Sequence, residues 1–244
     1  MEPIEYQRMA ELEADFWWYR ALHRCSSDWL TGLQLPAGAA VLDAGCGTGG
    51  LLQKLLTEHP LLDFHALEFN PDAATIAGEK TGLPIQVGRI EAMPYSNNRF
   101  DAIISNDVLY HANVDEPAAI AELHRCLKPG GHLLVNVPAY EWLRSSHDRH
   151  VHSKRRYTAS RLRTALTKAG FDLRYCSYRN GLLLPLMALH RLTAGSNKDT
   201  SDVEPVAPWL NRLLYTVTRI EQALNNHKLH LPFGGSAKAW AIKP

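Results

Sequence analysis

Ten residues, Val41 to Gly50 (VLDAGCGTGG), restrict the fold of this chain more than any others. An apolar run ends at Asp43, glycines follow at 45, 47, 49 and 50, and Leu51-Leu52 resume an apolar pattern. That order reads as a β-strand that ends in a tight turn and opens a helix. Glycine permits positive φ and lets a ligand lie against bare main chain. The first N–H groups of the new helix then face that ligand. A carboxylate two residues before the first glycine adds a preference for a polar, partly cationic partner. A glycine-rich hairpin or linker is the competing reading, and the apolar pairs on either side argue against it.

The flanking segments alternate strand and helix. Residues 39–43 read as the first strand, and the helix after the turn runs to about His59, where Pro60 stops it. Residues 63–68 (DFHALE) read as a second strand ending in Glu68, 23 residues after Gly45. In a βαβ nucleotide-binding unit an acid near this spacing accepts hydrogen bonds from ribose hydroxyls. A helix over 71–80, a short strand over 84–87 and a strand over 100–105 (FDAIIS) follow. The last is continuously apolar, as in strands buried on both faces of a parallel sheet. After Asn106-Asp107 come a helix over 115–126, a Pro129-Gly130-Gly131 turn and a strand over 132–137. The pattern predicts the α/β class, a doubly wound sheet with ligands at the carboxyl ends of its strands.

The ends of the chain are less regular. Residues 4–33 read as helical, because Tyr6, Met9, Leu12 and Phe16 recur at spacings of three and four. Phe16-Trp17-Trp18-Tyr19-Arg20 places four aromatics in a row, more than one helix face can bury, so core packing and a ligand lid both stay open. Beyond residue 137 lies AYEWLRSSHDRHVHSKRRY (139–157), then a helix over 158–169 and a strand over 171–178. Residues 179–234 read as an insertion with an apolar helix (182–192), a polar linker holding Gly195, Ser196 and Asn197, and a helix over 208–225. A last strand covers 237–242. The expected division is a helical lid (1–35), a core (36–178), a helical insertion (179–234) and a final core strand (235–244).

Composition excludes several classes. With 45% hydrophobic and 21% charged residues the chain is ordinary for a globular protein, and a net charge of +1 gives no global electrostatic case for nucleic acid. Cys25, Cys46, Cys126 and Cys176 form no CxxC pair, so neither a disulfide framework nor a zinc signature is present. The opening residues carry acids and no apolar core, unlike a signal peptide. No apolar run reaches the roughly 18–20 residues that span a bilayer. The expectation is a soluble, cytoplasmic protein.

Together these pieces resemble the class I S-adenosylmethionine-dependent methyltransferases. VLDAGCGTG, FDAIISNDVLYH and LKPGGHLLVNVP carry the resemblance, which covers residues 36–178 and the final strand. Gly45, Gly47 and Gly50 also satisfy the GxGxxG of dinucleotide dehydrogenases; the tight D-x-G-x-G-x-G, the LKPGG turn and the closing strand decide against that family. The resemblance implies an enzyme with a seven-stranded Rossmann-like sheet and S-adenosylmethionine as cofactor. It implies that Asp43 and the Gly45-Cys46-Gly47 and Gly49 backbone cradle the methionine half. Glu68 would hold the ribose diol, Phe69, Ile90 and Glu91 would border the adenine, and Asn106 would meet the amino end. Arg20, in the aromatic segment, joins the expected cofactor set. Many relatives carry an acid where this chain has Arg89, so the adenine contact would fall to backbone or to Glu91.

On the acceptor side, His111 and His147 are the expected bases, since a side chain titrating near neutrality suits proton removal. Trp17, Trp18, Tyr110, His147, Asp148, His152, Arg155, Arg156 and Tyr157 are the candidate acceptor contacts. Two arginines could clamp a carboxylate or phosphate. The stretch from His147-Asp148 to Arg155-Arg156-Tyr157 also resembles one in a bacterial branch of the family. A solvated basic loop and a metal site compete with an acceptor loop; with no second ligand cluster in the sequence, no metal is expected. Leu182, Leu183, Leu184, Leu186, Met187 and Leu189 would pack on the sheet, line a lipophilic pocket or touch a membrane surface. The expected function is methyl transfer to a small hydrophobic or anionic molecule, at oxygen. The alternatives are a cofactor-binding partner subunit without catalysis, or N- or C-methylation of a lipid or natural product. Nucleic acid is not expected as acceptor.

Overall fold

The computed structural model describes residues 3–193, 206–226 and 231–244. The expected polar linker at Gly195, Ser196 and Asn197 lies outside them. The strands are β1 (Ala40–Ala44), β2 (Asp63–Glu68), β3 (Gln86–Val87), β4 (Phe100–Asn106), β5 (Leu127–Pro138), β6 (Asp172–Arg179) and β7 (Ser236–Ile242). They form one seven-stranded sheet in the order β3-β2-β1-β4-β5-β7-β6. Pairings from β3 across to β5 are parallel, and β7 runs antiparallel between β5 and β6. The chain winds outward from β1 to β3, then returns to lay β4 on the other side of β1. That reversal opens a crevice at the carboxyl ends of β1 and β4, where ligands bind in such sheets.

Strand alternation builds a core on each face of the sheet. Leu42, Ile103 and Leu133 point to one side, where they meet α5 (Glu116–Cys126) and α7 (Ala159–Lys168) through Leu123 and Leu162. Val41, Ile104 and Leu134 point to the other and meet α2 (Trp17–Leu33) and α3 (Gly50–Glu58) through Leu30, Leu52 and Leu55. Two helices begin at capping signals visible in the sequence. Asn70 accepts from Ala73 N at the start of α4 (Pro71–Thr81), and Asp115 accepts from Ala118 N at the start of α5; each helix has proline in its first turn.

Two expectations are corrected. The single helix over 4–33 is two, α1 (Pro3–Leu12) and α2, separated at 13–16 where Phe16 turns extended. Apolar spacing continues through the break, from Leu12 to Phe16, so periodicity alone could not reveal it. The segment 139–157 is no simple loop: it holds a short helix, α6 (Ser146–His150), closed by a capping box between Ser145 and Asp148. In the insertion, α8 (Leu184–Thr193) and α9 (Pro208–Asn226) follow. The side chain of Asn211 on α9 accepts from Trp17 N at 2.8 Å and donates to Asp15 O at 2.8 Å, which ties α9 to the start of α2. No described helix is long and apolar enough to cross a membrane.

Tyr157 joins β5 to the core. It is fully buried, and its hydroxyl donates to Leu109 O at 3.1 Å. Tyr157→Phe should cost about 1 kcal/mol and lower Tm by roughly 2–4 °C, because Leu109 O keeps a second donor in Arg155. Tyr157→Ala should cost about 3–5 kcal/mol through the cavity it leaves. Chemical denaturation of the two variants measures both.

Candidate functional site

A cavity of about 580 Å³ opens at the carboxyl ends of β1, β2 and β4, with α1 and α2 across its mouth and α8 and α9 along one side. Its floor is the glycine turn. Gly45 N and Cys46 N donate to Leu67 O, fastening the turn to β2. Gly45 has φ +95, and a Cβ there would lie 2.2 Å from Val108 Cγ2, so conformation and space both require glycine. Beyond the turn, the N–H groups at the start of α3 need acceptors. Glu13, in the break between α1 and α2, supplies them: it accepts from Gly50 N at 3.1 Å and Thr48 Oγ1 at 2.9 Å, and pairs with Lys80. Glu68, ending β2, accepts from Gly47 N at 2.9 Å and Asn70 N at 3.0 Å, with Tyr6 Oη at 3.5 Å.

Three carboxylates therefore surround one turn. Asp43 is buried, and its Oδ2 has no hydrogen-bond partner among the described residues. Burial, with the charges of Glu68 and Glu13 adding, pushes its pKa up to about 7. Burial likewise raises Glu68. Asn106 donates from Nδ2 to Ser26 Oγ at 3.0 Å, and its Oδ1 is a second buried, unpartnered acceptor. A pyrophosphate at this helix start would face like charges from Glu13, Glu68 and Asp43. A cationic group bearing N–H donors fits, as the ammonium and sulfonium of S-adenosylmethionine would.

Farther along, His111 stacks on Tyr110 with ring centroids 4.2 Å apart. Its Nδ1 lies 2.7 Å from Val151 O, which fixes that nitrogen as the donor and leaves the lone pair on Nε2. Burial pushes its pKa down to about 4, against the pull of the Val151 and Asp107 carbonyls, so the ring is neutral at pH 7. Asp107 holds φ +54 and takes Asn136 Nδ2 on both oxygens, at 3.1 and 3.2 Å. Burial pushes it up to about 7 although Arg179 and Arg156 oppose the shift. His147 places Nδ1 3.6 Å from Glu5 Oε2. Trp17, Trp18, Leu183, Met187, Leu210 and Leu214 supply apolar wall.

The structure gathers Asp43, Gly45, Cys46, Gly47, Glu68, Phe69, Ile90, Glu91 and Asn106 along the same cavity as Trp17, Trp18, Tyr110, His111, His147, Asp148, His152 and Arg156. Four expected residues stand apart. Gly49 caps α3 behind the turn, where an added Cβ would press on Ala77 at 3.0 Å. Arg20 is exposed and lies 4.3 Å over the Tyr215 ring. Arg155 is buried and spends its guanidinium on Glu116, Leu109 O and Val114 O. Tyr157 lies inside the core. Arg156 also has a structural bond, gripping both oxygens of Asp148 at 2.9 Å. An arginine pair in sequence thus becomes two ion pairs that fold the loop. Sequence reading missed Tyr6, Glu13 and Asp107. Glu13 leaves the apolar spacing from Leu12 to Phe16 intact, so nothing in the sequence marked it; Asp107 becomes distinctive only through its left-handed backbone.

A family model described as a methyltransferase domain matches residues 13–175. The chain belongs to the class I S-adenosylmethionine-dependent methyltransferases. S-adenosylmethionine is the cofactor of this family. Over 109 residues this methyltransferase is 37% identical to the tRNA (carboxymethyluridine(34)-5-O)-methyltransferase of Arabidopsis thaliana, covering 44% of the chain and 26% of that protein. The chain thus spans about a quarter of that relative's length. Among solved structures, a Haloferax volcanii methyltransferase in complex with the Trm112 methyltransferase activator superposes with TM-score 0.63 at 20% identity, over 99% of this chain and 95% of that one. The geranyl diphosphate C-methyltransferase of Streptomyces coelicolor A3(2), solved with Mg2+, geranyl diphosphate and S-adenosyl-L-homocysteine, superposes with TM-score 0.60 at 15% identity, over 90% and 77%. At these identities the two structures speak for the fold.

Asp43 and Asp107 contribute to the pH response of the ligand-free methyltransferase, against buried His23 and His111, whose pKa values burial pushes down to about 3 and about 4. Both aspartates hold protons in the folded state that an unfolded chain releases near pH 4. The share of these two groups should therefore be greatest at and below about pH 4, fall as pH rises from there to about 7, and level off above it. Urea denaturation at pH 5, 6, 7 and 8 should show the parent losing stability relative to Asp43→Asn between pH 5 and 7, with no further change by pH 8.

Proposed function

We propose that this chain transfers the methyl group of S-adenosylmethionine to an oxygen of a small, lipophilic acceptor. The cofactor supplies a methyl group already activated on a sulfonium sulfur. In this reading Asp43 Oδ2 and Asn106 Oδ1 receive the ammonium group, Glu68 receives the ribose hydroxyls, and Phe69, Ile90 and Glu91 border the adenine. The observation that carries the cofactor assignment is the pair of buried, unpartnered oxygens inside a ring of carboxylates. Trp17, Trp18, Leu183, Met187, Leu210 and Leu214 exclude water and orient the acceptor, and such positioning can supply roughly 7–11 kcal/mol of the barrier. Commitment of Arg155 and Arg156 to internal ion pairs favours an apolar over an anionic acceptor.

Proton removal falls to His111 or to Asp107. His111 is neutral at pH 7 and presents Nε2 as acceptor; Asp107 must lose its own proton first. Activity through a base rises with pH through that base's pKa. A rate that climbs around pH 7, with the climb abolished by Asp107→Asn, assigns the task to Asp107. A rate flat from pH 6 to 8, lowered about 10²-fold or more by His111→Ala, assigns it to His111. Unchanged turnover in both variants leaves His147, the other expected base in the cavity, and unchanged turnover in His147→Ala as well would mean that no side-chain base acts.

Isothermal titration with S-adenosylmethionine tests the cofactor assignment. Binding should weaken about tenfold or more in Asp43→Asn, the worth of a hydrogen bond to a charged group. Absence of binding at high micromolar concentration by folded protein overturns the proposal. An acceptor screen read by S-adenosylhomocysteine formation then separates an enzyme from a cofactor-binding partner subunit. An RNA acceptor would make turnover fall steeply with salt, and a lipophilic one would not.

A further inference from the structure

Helix α2 is a wall shared by two cavities. Tyr19, Leu22 and His23 face the site described above. Ala21, Cys25, Asp28, Trp29 and Gly32 recur at helical spacing on another face, and they line a separate cavity of about 680 Å³ closed by α9, β6 and β7. A volume of this size accommodates an organic ligand.

Among its lining side chains, those that can only donate outnumber the acids. Asn180 is buried at 2% exposure, and its Nδ2 has no partner among the described residues; the same is true of Trp29 Nε1. Arg179 is buried, and its bond to Asn136 Oδ1 is long, at 3.5 Å. Lys238 lies 3.2 Å from Cys25 Sγ and 5.4 Å over the Tyr175 ring, and Arg174 completes three lining cations. Two lining acids oppose them. Asp28 is already held by Arg24, Arg219 and Gln222, and Glu221 accepts from Leu182 N at 2.9 Å. Trp29, Tyr178 and Trp240 add aromatic surface. Buried donors without acceptors call for an oxyanion, and flat apolar walls call for a ring or chain to carry it.

We propose that this second cavity binds a small organic oxyanion, a carboxylate or phosphate monoester on an aromatic or apolar body. Arg179, Lys238, Asn180 and Trp29 recognise its charged end. Titration calorimetry with phenyl phosphate, benzoate and neutral benzyl alcohol tests the site. One or both anions should bind at one per chain, at least about tenfold tighter than the alcohol, as charge-assisted hydrogen bonds require. Lys238→Gln should weaken the anion about tenfold. Gly32 offers a blocking variant, since it is an exposed position within α2 and nothing lies within 4 Å of an added Cβ. Gly32→Phe should abolish binding while Gly32→Ala retains it, both with unchanged circular dichroism. His111→Ala, in the other cavity, should bind the anion as the parent does. Equal affinity for anion and alcohol, no binding of either anion, or binding that survives Gly32→Phe would overturn the proposal.

Discussion

The N-terminal end of α3 is the point on which the structure depends. A helix that starts directly from a strand leaves N–H groups exposed at the turn, and here two distant acids take them up. Glu68 reaches Gly47 from the end of β2, and Glu13 reaches Gly50 from the gap between α1 and α2. These bonds satisfy the helix start, fix the glycine turn and dock the first helix of the chain. They also concentrate negative charge beside Asp43, and that charge makes the crevice suited to a cation. One local backbone requirement thus sets both the placement of α1 and the electrostatic character of the cavity.

The central sheet was legible because each of its strands declares itself in a few residues. VLDA and FDAIIS are too apolar for any place but the middle of a parallel sheet, and Asn70-Pro71 and Asp115 mark helix starts by capping chemistry. The acceptor side was less legible. Arg155 and Arg156 look alike in sequence, and only the fold shows that Glu116 and Asp148 neutralise them. Asp148 itself serves a capping box, a role decided by Ser145 three residues earlier. Long-range partners of this kind, such as Glu13 and Gly50, leave no periodic trace.

Helix α2 shows how one element serves two surroundings. Its buried apolar residue Leu30 joins the sheet core, while its aromatics at 17–19 and its stripe from Ala21 to Gly32 face two different cavities. The four consecutive aromatics, which no single helix face could bury, all border the first cavity. Phe16 packs inward at the start of the helix, and Trp17, Trp18 and Tyr19 line the crevice.

The contacts made by α1 have a thermodynamic consequence. Tyr6 touches Glu68, Met9 lies over Gly47, and Glu13 holds Gly50, so the first helix occupies groups that a ligand of the turn also needs. A ligand that displaces Tyr6 from Glu68 competes with the chain's own N-terminus. Its apparent affinity is then the intrinsic affinity multiplied by the fraction of molecules in which α1 has yielded. Residues of α1 that take no part in the chemistry, Met9 among them, would in this way set the apparent affinity of the turn.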